Sequence, residues 1–349
     1  MVPVVDLSRR TARHRASFLA VADAVLASGQ LLLGPQTAAL EAELAAWSGY
    51  QHGVTTSSGA SALQLALSAV GVGPGDEVIV PAFTAVPTAS AVCALGAIPM
   101  LADVDPCTGL LDVVAAEAAR TDRTAAVVPV HLYGRPAPLP SIGVPVVEDA
   151  AQAHGALRHH GRSAAVVYSF YPTKNLGGIG DGGAVMTDDA DVAQRVHRAR
   201  VHGMTDQYVH PTISQNFRMS ELEAAWLRLV LPSLAADNAR RAEVAATYRR
   251  AAPWLQWPDA HPDHVYHLCV VRVTDREAVR NRLGQLGVST GVHYPLAIGA
   301  QPGYRRFARG PYPHAEAWAA ECISLPCFPE ITDAEVDQVA DALQRAMPR

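Results

Sequence analysis

The chain has 349 residues, of which 49% are hydrophobic and 17% charged, and its formal net charge is −5. This composition is globular, it suffices for a large core, and a division into one large and one smaller domain is expected. The negative charge excludes the electrostatic footprint of a nucleic-acid-binding protein. No stretch is apolar over the length of a membrane helix, and the first residues lack the pattern of a signal peptide.

The cysteines suggest a reduced environment. They form no CxxC pair, and their number is odd: Cys93, Cys107, Cys269, Cys322 and Cys327. The simplest interpretation is a reduced, cytoplasmic protein without a metal site.

The first two thirds of the chain alternate between helical and strand-like patterns. "TAALEAELAAWSGY" has helical periodicity, "HGVTTSSG" resembles a short strand, and "ASALQLALSAVGVGPGDE" resembles a helix that ends at Gly and Pro. "EVIVPAF", "IPMLADVD", "TAAVVPVHLYG" and "GVPVVEDAAQAHG" contain further strands, and "TAVPTASAVCALGA" forms a helix between the first two of them. The pattern predicts an α/β protein with a mostly parallel sheet flanked by helices.

The rhythm changes near Leu231. A long polar helix, "LAADNARRAEVAATYRRAA", leads to the strand "HVYHLCVVRV", and the chain ends in the helical "DAEVDQVADALQRAM". We therefore expect a large domain over residues 1–235 and a smaller α+β domain over residues 236–349.

One connection between predicted strands is unusual. The segment "GRPAPLPSIG" contains three prolines, which are incompatible with a helix. Parallel strands are normally joined by a dozen or more residues, usually helical. Either an elongated loop makes this crossing, or a helix that relatives possess has been lost.

Two stretches place polar residues where strands end. "TTSSGASAL" joins a strand to a helix, whose free N–H groups could hold a phosphate, although an ordinary capped helix beginning near Ser58 or Ser61 is the commoner explanation. "VVEDAAQAHGA" places Asp149 just after an apolar strand, with Gln152 three residues on. Open α/β sheets bind ligands at the carboxyl ends of strands, but Asp is also a common helix N-cap.

The third stretch, "VVYSFYPTKNLGGIGDGGAVMTDD", contains Lys174, the only lysine of the chain. Unlike arginine, lysine can deprotonate and act as a nucleophilic amine. The stretch matches GxGxxG, but "AVMTDD" after the glycines resembles a strand, so we reject a dinucleotide fingerprint. The glycines are expected to let the backbone bend closely around Lys174 and a bound group; a surface lysine is the ordinary alternative.

A phosphate cradle, an aspartate for a pyridine nitrogen and a Schiff-base lysine, in this chain order, resemble the pyridoxal 5′-phosphate (PLP) site of aspartate-aminotransferase-type proteins, the transferases of fold type I. Nearly the whole chain also resembles the DegT/DnrJ/EryC1/StrS family of sugar aminotransferases. The motifs that carry this resemblance include "SSGASALQLAL", "GVGPGDEVIVPAFT", "PVHLYGRPA", "VEDAAQAHGA", "SFYPTKNLGGIGDGGAVMTDD", "NFRMSELEAAWL" and "SLPCFPEITDAEVDQVADAL".

The resemblance implies a role for each matching residue. Lys174 would form the Schiff base and move protons, Asp149 would pair with the pyridine nitrogen, Gln152 would contact the ring hydroxyl and Ala151 would lie against the ring. The phosphate would be held by Ser169 and by the backbone of Gly59, Ala60 and Ser61. Asn216 would reach the phosphate of a neighbouring subunit, which implies a homodimer with shared sites. The residues expected near the substrate are Arg218, His293 and Tyr294.

Three positions depart from the family pattern. Ala60 stands where a Thr is usual, so Ser61 would have to supply the phosphate-binding hydroxyl. Ala85 replaces an aromatic residue that stacks on the cofactor, and Phe83 is a candidate substitute. Gly299 occupies the position of a substrate-contacting His.

Asp181, after the glycines, resembles the branch that aminates C3 of the sugar. The first expectation is therefore amination of a dTDP-3-keto-6-deoxyhexose with glutamate or glutamine as the donor, in deoxysugar or antibiotic biosynthesis. A 4-keto-sugar or keto-cyclitol aminotransferase is the alternative. Sugar dehydratases among the relatives carry His in place of the lysine, which Lys174 argues against. A non-catalytic PLP-binding relative is the remaining possibility.

Overall fold

A computed structural model describes residues 1–156 and 161–346. The α-helices of these residues are α1 (Leu7–Ser28), α2 (Pro35–Ser48), α3 (Gly59–Ala69), α4 (Val86–Ala94), α5 (Val113–Ala118), α6 (Ala190–Ala199), α7 (Glu221–Val230), α8 (Leu234–Ala251), α9 (Arg276–Gln285), α10 (Pro313–Glu321) and α11 (Asp333–Ala346). The strands are β1 (His52–Thr56), β2 (Glu77–Pro81), β3 (Ile98–Ala102), β4 (Thr124–Val127), β5 (Val147–Asp149), β6 (Ala165–Ser169), β7 (Gly183–Thr187), β8 (Cys269–Arg272) and β9 (Cys322–Leu325).

Seven strands form the central sheet. The hydrogen-bonded orders are β1-β7-β6-β5 and β3-β2-β4, and parallel bridges from Val127 to Val146 and from Val130 to Asp149 join β4 to β5. Strand β7 runs antiparallel to both of its neighbours, β1 and β6, and the other pairs among these strands of the described chain are parallel. The strands are almost entirely buried because helices cover both faces, as is typical of parallel sheets. The predicted α/β class with a mostly parallel sheet is confirmed.

The proline-rich connection is an elongated loop. After a short 3₁₀ turn (Leu132–Gly134), no helix forms among residues 135–146 before β5 begins. The backbone N–H of Ala137 donates to Nδ1 of buried His131 (2.8 Å), whose Nε2 therefore carries the proton and donates to Glu148 (2.9 Å). This buried pair fixes the start of the loop.

The sequence patterns did not predict helix α1. It begins where the Asp6 carboxylate accepts a hydrogen bond from the N–H of Ser8. Its Phe18 ring packs edge-on against Trp226 of α7, at 5.3 Å between ring centroids. Trp226 also contacts the segment that contains Lys174, so α1 lies close to that segment.

The C-terminal part contains the antiparallel pair β8–β9 and helices α8, α9 and α11, with a core that also includes Val2. Trp318 and Cys322 instead belong to the larger core of the central sheet. The boundary after residue 235 stays a prediction; helix α8 begins at Leu234, next to it. No helix among the described residues is long and apolar enough to cross a membrane.

Candidate active site

Lys174 lies in the loop between β6 and β7. Its backbone N–H donates to Tyr171 O (2.8 Å), and its partly buried side chain lines a cavity of about 320 Å³. His293 and Tyr294 line the same cavity, so the structure brings these three predicted residues together. The alternative of a freely exposed surface lysine is excluded by this position.

Buried side chains hold the backbone on both sides of Lys174; we call residues 172–180 the lysine loop. The guanidinium of Arg10 donates to the carbonyls of Pro172 (2.6 Å), Lys174 (3.1 Å) and Gly177 (3.1 Å). The indole N–H of Trp226 donates to the same Gly177 carbonyl (2.9 Å). Helices α1 and α7 therefore fix the path of the loop that carries the lysine.

The glycines of the lysine loop allow the side chain of Glu223 to approach the loop backbone closely. The carboxylate of Glu223 accepts hydrogen bonds from the N–H groups of Ile179 (3.2 Å) and Gly180 (3.0 Å), and a Cβ at Gly178 would overlap its Oε1. Burial raises the pKa of Glu223 to about 7. Because strand β7 follows these glycines, the rejection of a dinucleotide fingerprint is supported.

Burial lowers the pKa of Lys174 to about 8, and the negative charge of Asp149 opposes this effect. More of the amine is therefore unprotonated near neutral pH than in an ordinary lysine, as a nucleophile or base requires. Burial also lowers the pKa values of His154, to about 3, and of His293, in each case assisted by the charge of Lys174. These imidazoles are neutral at physiological pH.

Asp149 ends strand β5 and is 7% exposed. Its Oδ2 accepts a hydrogen bond from the Thr88 hydroxyl (2.9 Å), and its Oδ1 accepts one from the N–H of Ala151 (3.1 Å). The carboxylate is thus held at the carboxyl end of a parallel strand, within electrostatic range of Lys174. Ala151 is partly exposed beside it.

Gln152 connects two aromatic residues. Its Oε1 accepts a hydrogen bond from the N–H of Tyr133 (2.7 Å), and its Nε2 donates to the Tyr294 hydroxyl (3.1 Å). The Tyr133 hydroxyl donates to the carbonyl of His293, whose Nδ1 is hydrogen-bonded to Ser324 Oγ (2.8 Å). This network fixes the segment that carries two of the predicted substrate residues.

The N-terminus of helix α3 abuts β6 and β7. A Cβ at Gly59 would lie 2.8 Å from Ser169 Oγ, and a Cβ at Gly183 would collide with the Ser58 backbone. Ser58 and Ser61 form a reciprocal capping box: Ser61 N–H donates to Ser58 Oγ (3.1 Å) and Ser58 N–H donates to Ser61 Oγ (2.9 Å).

The capping box corrects one expectation. Both the N–H and the hydroxyl of Ser61 are engaged within the helix end, so Ser61 does not replace the threonine that is absent at Ala60. The N–H groups of Gly59 and Ala60, in the first turn, have no partner within the helix and can receive an anion.

Phe83 requires a second correction. Its ring is fully buried and packs against Trp318, with 6.0 Å between centroids. Strand β2 ends at Pro81, so the regular alternation that would turn Phe83 to the face of Ala85 does not continue. Phe83 is a core residue, and Ala85, at the N-cap of α4, has no aromatic substitute there.

Asn216 and Arg218 lie on the surface of the chain. Asn216 Oδ1 accepts a hydrogen bond from Arg218 Nε (2.9 Å), and Asn216 is exposed. Neither residue lines the cavity beside Lys174. Within one chain, therefore, the structure does not bring these two residues to the lysine.

The chain is similar to known proteins in both sequence and fold. The family model described as the DegT/DnrJ/EryC1/StrS aminotransferase family matches residues 13–344. The chain belongs to this family. It is therefore an aminotransferase of the PLP-dependent fold type I, as the sequence motifs predicted.

Two relatives and one crystal structure illustrate the similarity. A dTDP-3-amino-3,4,6-trideoxy-α-D-glucose transaminase of Streptomyces venezuelae is 41% identical over 362 residues, which cover 98% of this chain and 95% of that protein. A "pleiotropic regulatory protein" of Geobacillus stearothermophilus is 38% identical over 363 residues, covering 98% and 97%. The crystal structure of S. venezuelae DesV with a ketimine intermediate superposes with a TM-score of 0.94 at 39% identity, covering 99% and 98% of the two chains.

The residues of this chain fit the cofactor of the family. A lysine with a lowered pKa, a buried carboxylate at a strand end and an open helix N-terminus match an aldehyde, a pyridine nitrogen and a phosphate, respectively. At the phosphate end, Gly59 allows the start of α3 to approach Ser169 closely, and Gly183 allows β7 to approach the backbone of Ser58.

Several residues of the site were missed by sequence reasoning. Thr88 contacts Asp149, Arg10 holds the lysine loop, and Arg241 and His267 line the cavity. They come from distant parts of the chain and carry no local motif. Only α1, which supplies Arg10, has a local signal, the N-cap Asp6.

Proposed function

We propose that this aminotransferase transfers an amino group from glutamate or glutamine to C3 of a dTDP-linked 3-keto-6-deoxyhexose. The observation that carries the proposal is Lys174, the only lysine, beside Asp149 and on the wall of a cavity. The family membership and the name of the S. venezuelae relative, whose product carries a 3-amino group, support the reaction and the ring position.

Each residue expected to bind the cofactor has a defined role in the proposed site. Lys174 would bind PLP covalently, Asp149 would bind its pyridine nitrogen, and the N–H groups of Gly59 and Ala60 with Ser169 would bind its phosphate. Bound PLP supplies an electron sink for the carbon that loses or gains the amine. Gln152 would contact the ring hydroxyl, and Ala151 would lie against the ring.

Proton transfer is the second role of Lys174. Once released from the cofactor, its amine would remove a proton from the donor and deliver it to the cofactor, then reverse these steps for the sugar. The lowered pKa of Lys174 leaves enough free base for the first transfer. The charge of Asp149 keeps this pKa from falling further, so that the amine can be protonated again. Arg10 would keep the amine in place by holding the backbone carbonyl of Lys174.

We further propose that the protein is a cytoplasmic homodimer with shared sites. Asn216 and Arg218 are surface residues, and the same surface segment exposes Tyr208 (82%) and Ile213 (106%). Large exposed apolar side chains of this kind are typical of interfaces. In the dimer, Asn216 would bind the cofactor phosphate of the partner subunit, and Arg218, His293 and Tyr294 would contact substrate.

The experiment is a two-step assay of the purified protein. Added PLP should give the absorbance of covalently bound cofactor, L-glutamate or L-glutamine should convert it to the pyridoxamine form, and a dTDP-3-keto-6-deoxyhexose should convert it back. Mass spectrometry and NMR of the product should locate the amine at C3.

The outcomes separate the alternatives. Amination of 4-keto-sugars alone would contradict the ring position. Bound PLP that neither amino acid converts would contradict the proposed donors. Size-exclusion chromatography with light scattering should give twice the 36.9 kDa of the chain, and a monomer would contradict the shared sites.

A further inference from the structure

The cavity beside Lys174 has an unusual balance of charge; we call it the basic pocket. Its volume is about 320 Å³, and Lys174, Arg241, His267 and His293 all line it. None of the described residues that line it is Asp or Glu. A partly enclosed site with basic groups and no acid attracts an anion.

Arg241, on α8, is a buried guanidinium with spare hydrogen-bonding capacity. The residue is only 4% exposed, Nη1 donates to the carbonyl of Cys327 (2.6 Å), and Nε has no hydrogen-bond partner. Burial lowers its pKa, which Asp237 and Glu330 oppose, yet both of these acids are paired with Arg13. A buried charge without its own counter-ion is costly unless a ligand compensates for it.

His267 has the same property. It is 6% exposed, and its Nδ1 has no hydrogen-bond partner. Burial, together with the charges of Lys174 and Arg241, lowers the pKa of His267 well below its ordinary value, so the ring is neutral. A neutral imidazole can donate one hydrogen bond to an anion without adding charge.

We propose that the basic pocket binds a carboxylate of the amino donor, with Arg241 as its principal partner and His267 as a second donor. This inference rests on the proposed function. A guanidinium pairs with carboxylates through charge-assisted hydrogen bonds, which are the strong ones.

The size and the walls of the pocket favour an amino acid over the other anions of the reaction. Its volume, at the lower end of the roughly 300–1,000 Å³ range of ligand sites, suits an amino acid, whereas the nucleotide of a nucleotide sugar would have to lie outside it. The cofactor phosphate has its own site at the N-terminus of α3. Apolar side chains can contact the methylene groups of the donor: Val4, Val5, Leu268 and Leu325.

Lys174 provides a direct reporter of this binding without the cofactor. Because it is the only lysine, acetic anhydride labels one side-chain amine, which peptide mass spectrometry separates from the N-terminus. In the PLP-free protein, glutarate, a dicarboxylate that lacks the reacting amine, should slow labelling in a saturable way. Arg241→Gln should weaken this protection about tenfold or more, and His267→Gln should weaken it less.

The matched control is Arg195→Gln. Arg195 is exposed on α6 and does not line the basic pocket, so its removal changes the net charge equally. Equal protection in wild type and Arg241→Gln, or equal loss in Arg241→Gln and Arg195→Gln, would overturn the proposal. If Arg241→Gln does not unfold cooperatively, the variant is not properly folded and His267→Gln becomes the test. Unchanged protection by glutarate in His267→Gln would then overturn the proposal that the two residues bind the carboxylate together.

A second measurement separates this inference from the proposed function. In the PLP-loaded protein, Arg241→Gln should raise the glutamate concentration at half-maximal conversion about tenfold or more, and should affect conversion by the 3-amino sugar, which lacks the carboxylate, much less. Equal loss with both substrates would overturn the carboxylate site. A wild type that binds glutarate but cannot be converted by glutamate would instead contradict the proposed function.

Discussion

Two buried arginines on either side of Lys174 are used in different ways. Arg10 donates to three backbone carbonyls of the lysine loop, while Arg241 donates to one carbonyl and lines the basic pocket. Buried polar groups are normally satisfied, so an unsatisfied one at a cavity indicates a place for a ligand. The lysine loop is therefore a fixed support, and the basic pocket is a site that binding completes.

The largest effect is expected at the residue that both regions share. Lys174→Ala removes the covalent attachment and the base, so turnover should fall by about 10²–10⁴-fold or more. Circular dichroism of the PLP-free variant should match the wild type, and its thermal stability should be equal or higher, because removing a partly buried amine removes a desolvation cost. An active Lys174→Ala protein would refute the assignment of the lysine.

Asp149→Asn should produce the second largest loss. The amide cannot supply the negative charge that favours a protonated pyridine nitrogen, so turnover should drop by about 100-fold. Thr88→Val, which removes one hydrogen bond to Asp149 Oδ2, should lose less, about tenfold. Steady-state rates measure both, and a Thr88→Val loss as large as that of Asp149→Asn would mean that Thr88 contacts the reacting groups itself.

Arg10→Met tests the fixed support. Loss of three charge-assisted bonds to carbonyls should cost about 2–3 kcal/mol in the free energy of unfolding. Arg13→Met is the matched control on the same helix, because its ion pair with Asp237 is on the surface and contributes about 0–1 kcal/mol. Urea unfolding of both PLP-free variants gives the comparison, and equal losses would show that Arg10 has no special role.

The two regions also differ in how far the sequence predicted them. Lys174 and Asp149 were predictable because a lone lysine among glycines and an acid after an apolar strand are local patterns. Arg10 and Arg241 were not, since "LSRRTARHR" and "NARRAEV" resemble any arginine-rich amphipathic helix. Phe83 was misplaced because its orientation depends on where β2 ends, which the sequence does not fix to within two residues.

The smallest expected effect is a shift in the titration of Lys174 itself. Burial lowers its pKa to about 8, so the rate of acetylation in the PLP-free protein should reach half its maximum near pH 8, and not near the ordinary lysine value of about 10.4. Because the Asp149 charge raises this pKa, Asp149→Asn should move the midpoint to lower pH, whereas an effect through altered solvent access would change the maximal rate at a constant midpoint. The lysine loop decides the burial, so Arg10→Met should move the midpoint the other way, toward pH 10. A wild-type midpoint near 10 would mean that the amine is solvated, and that the cofactor alone must activate it.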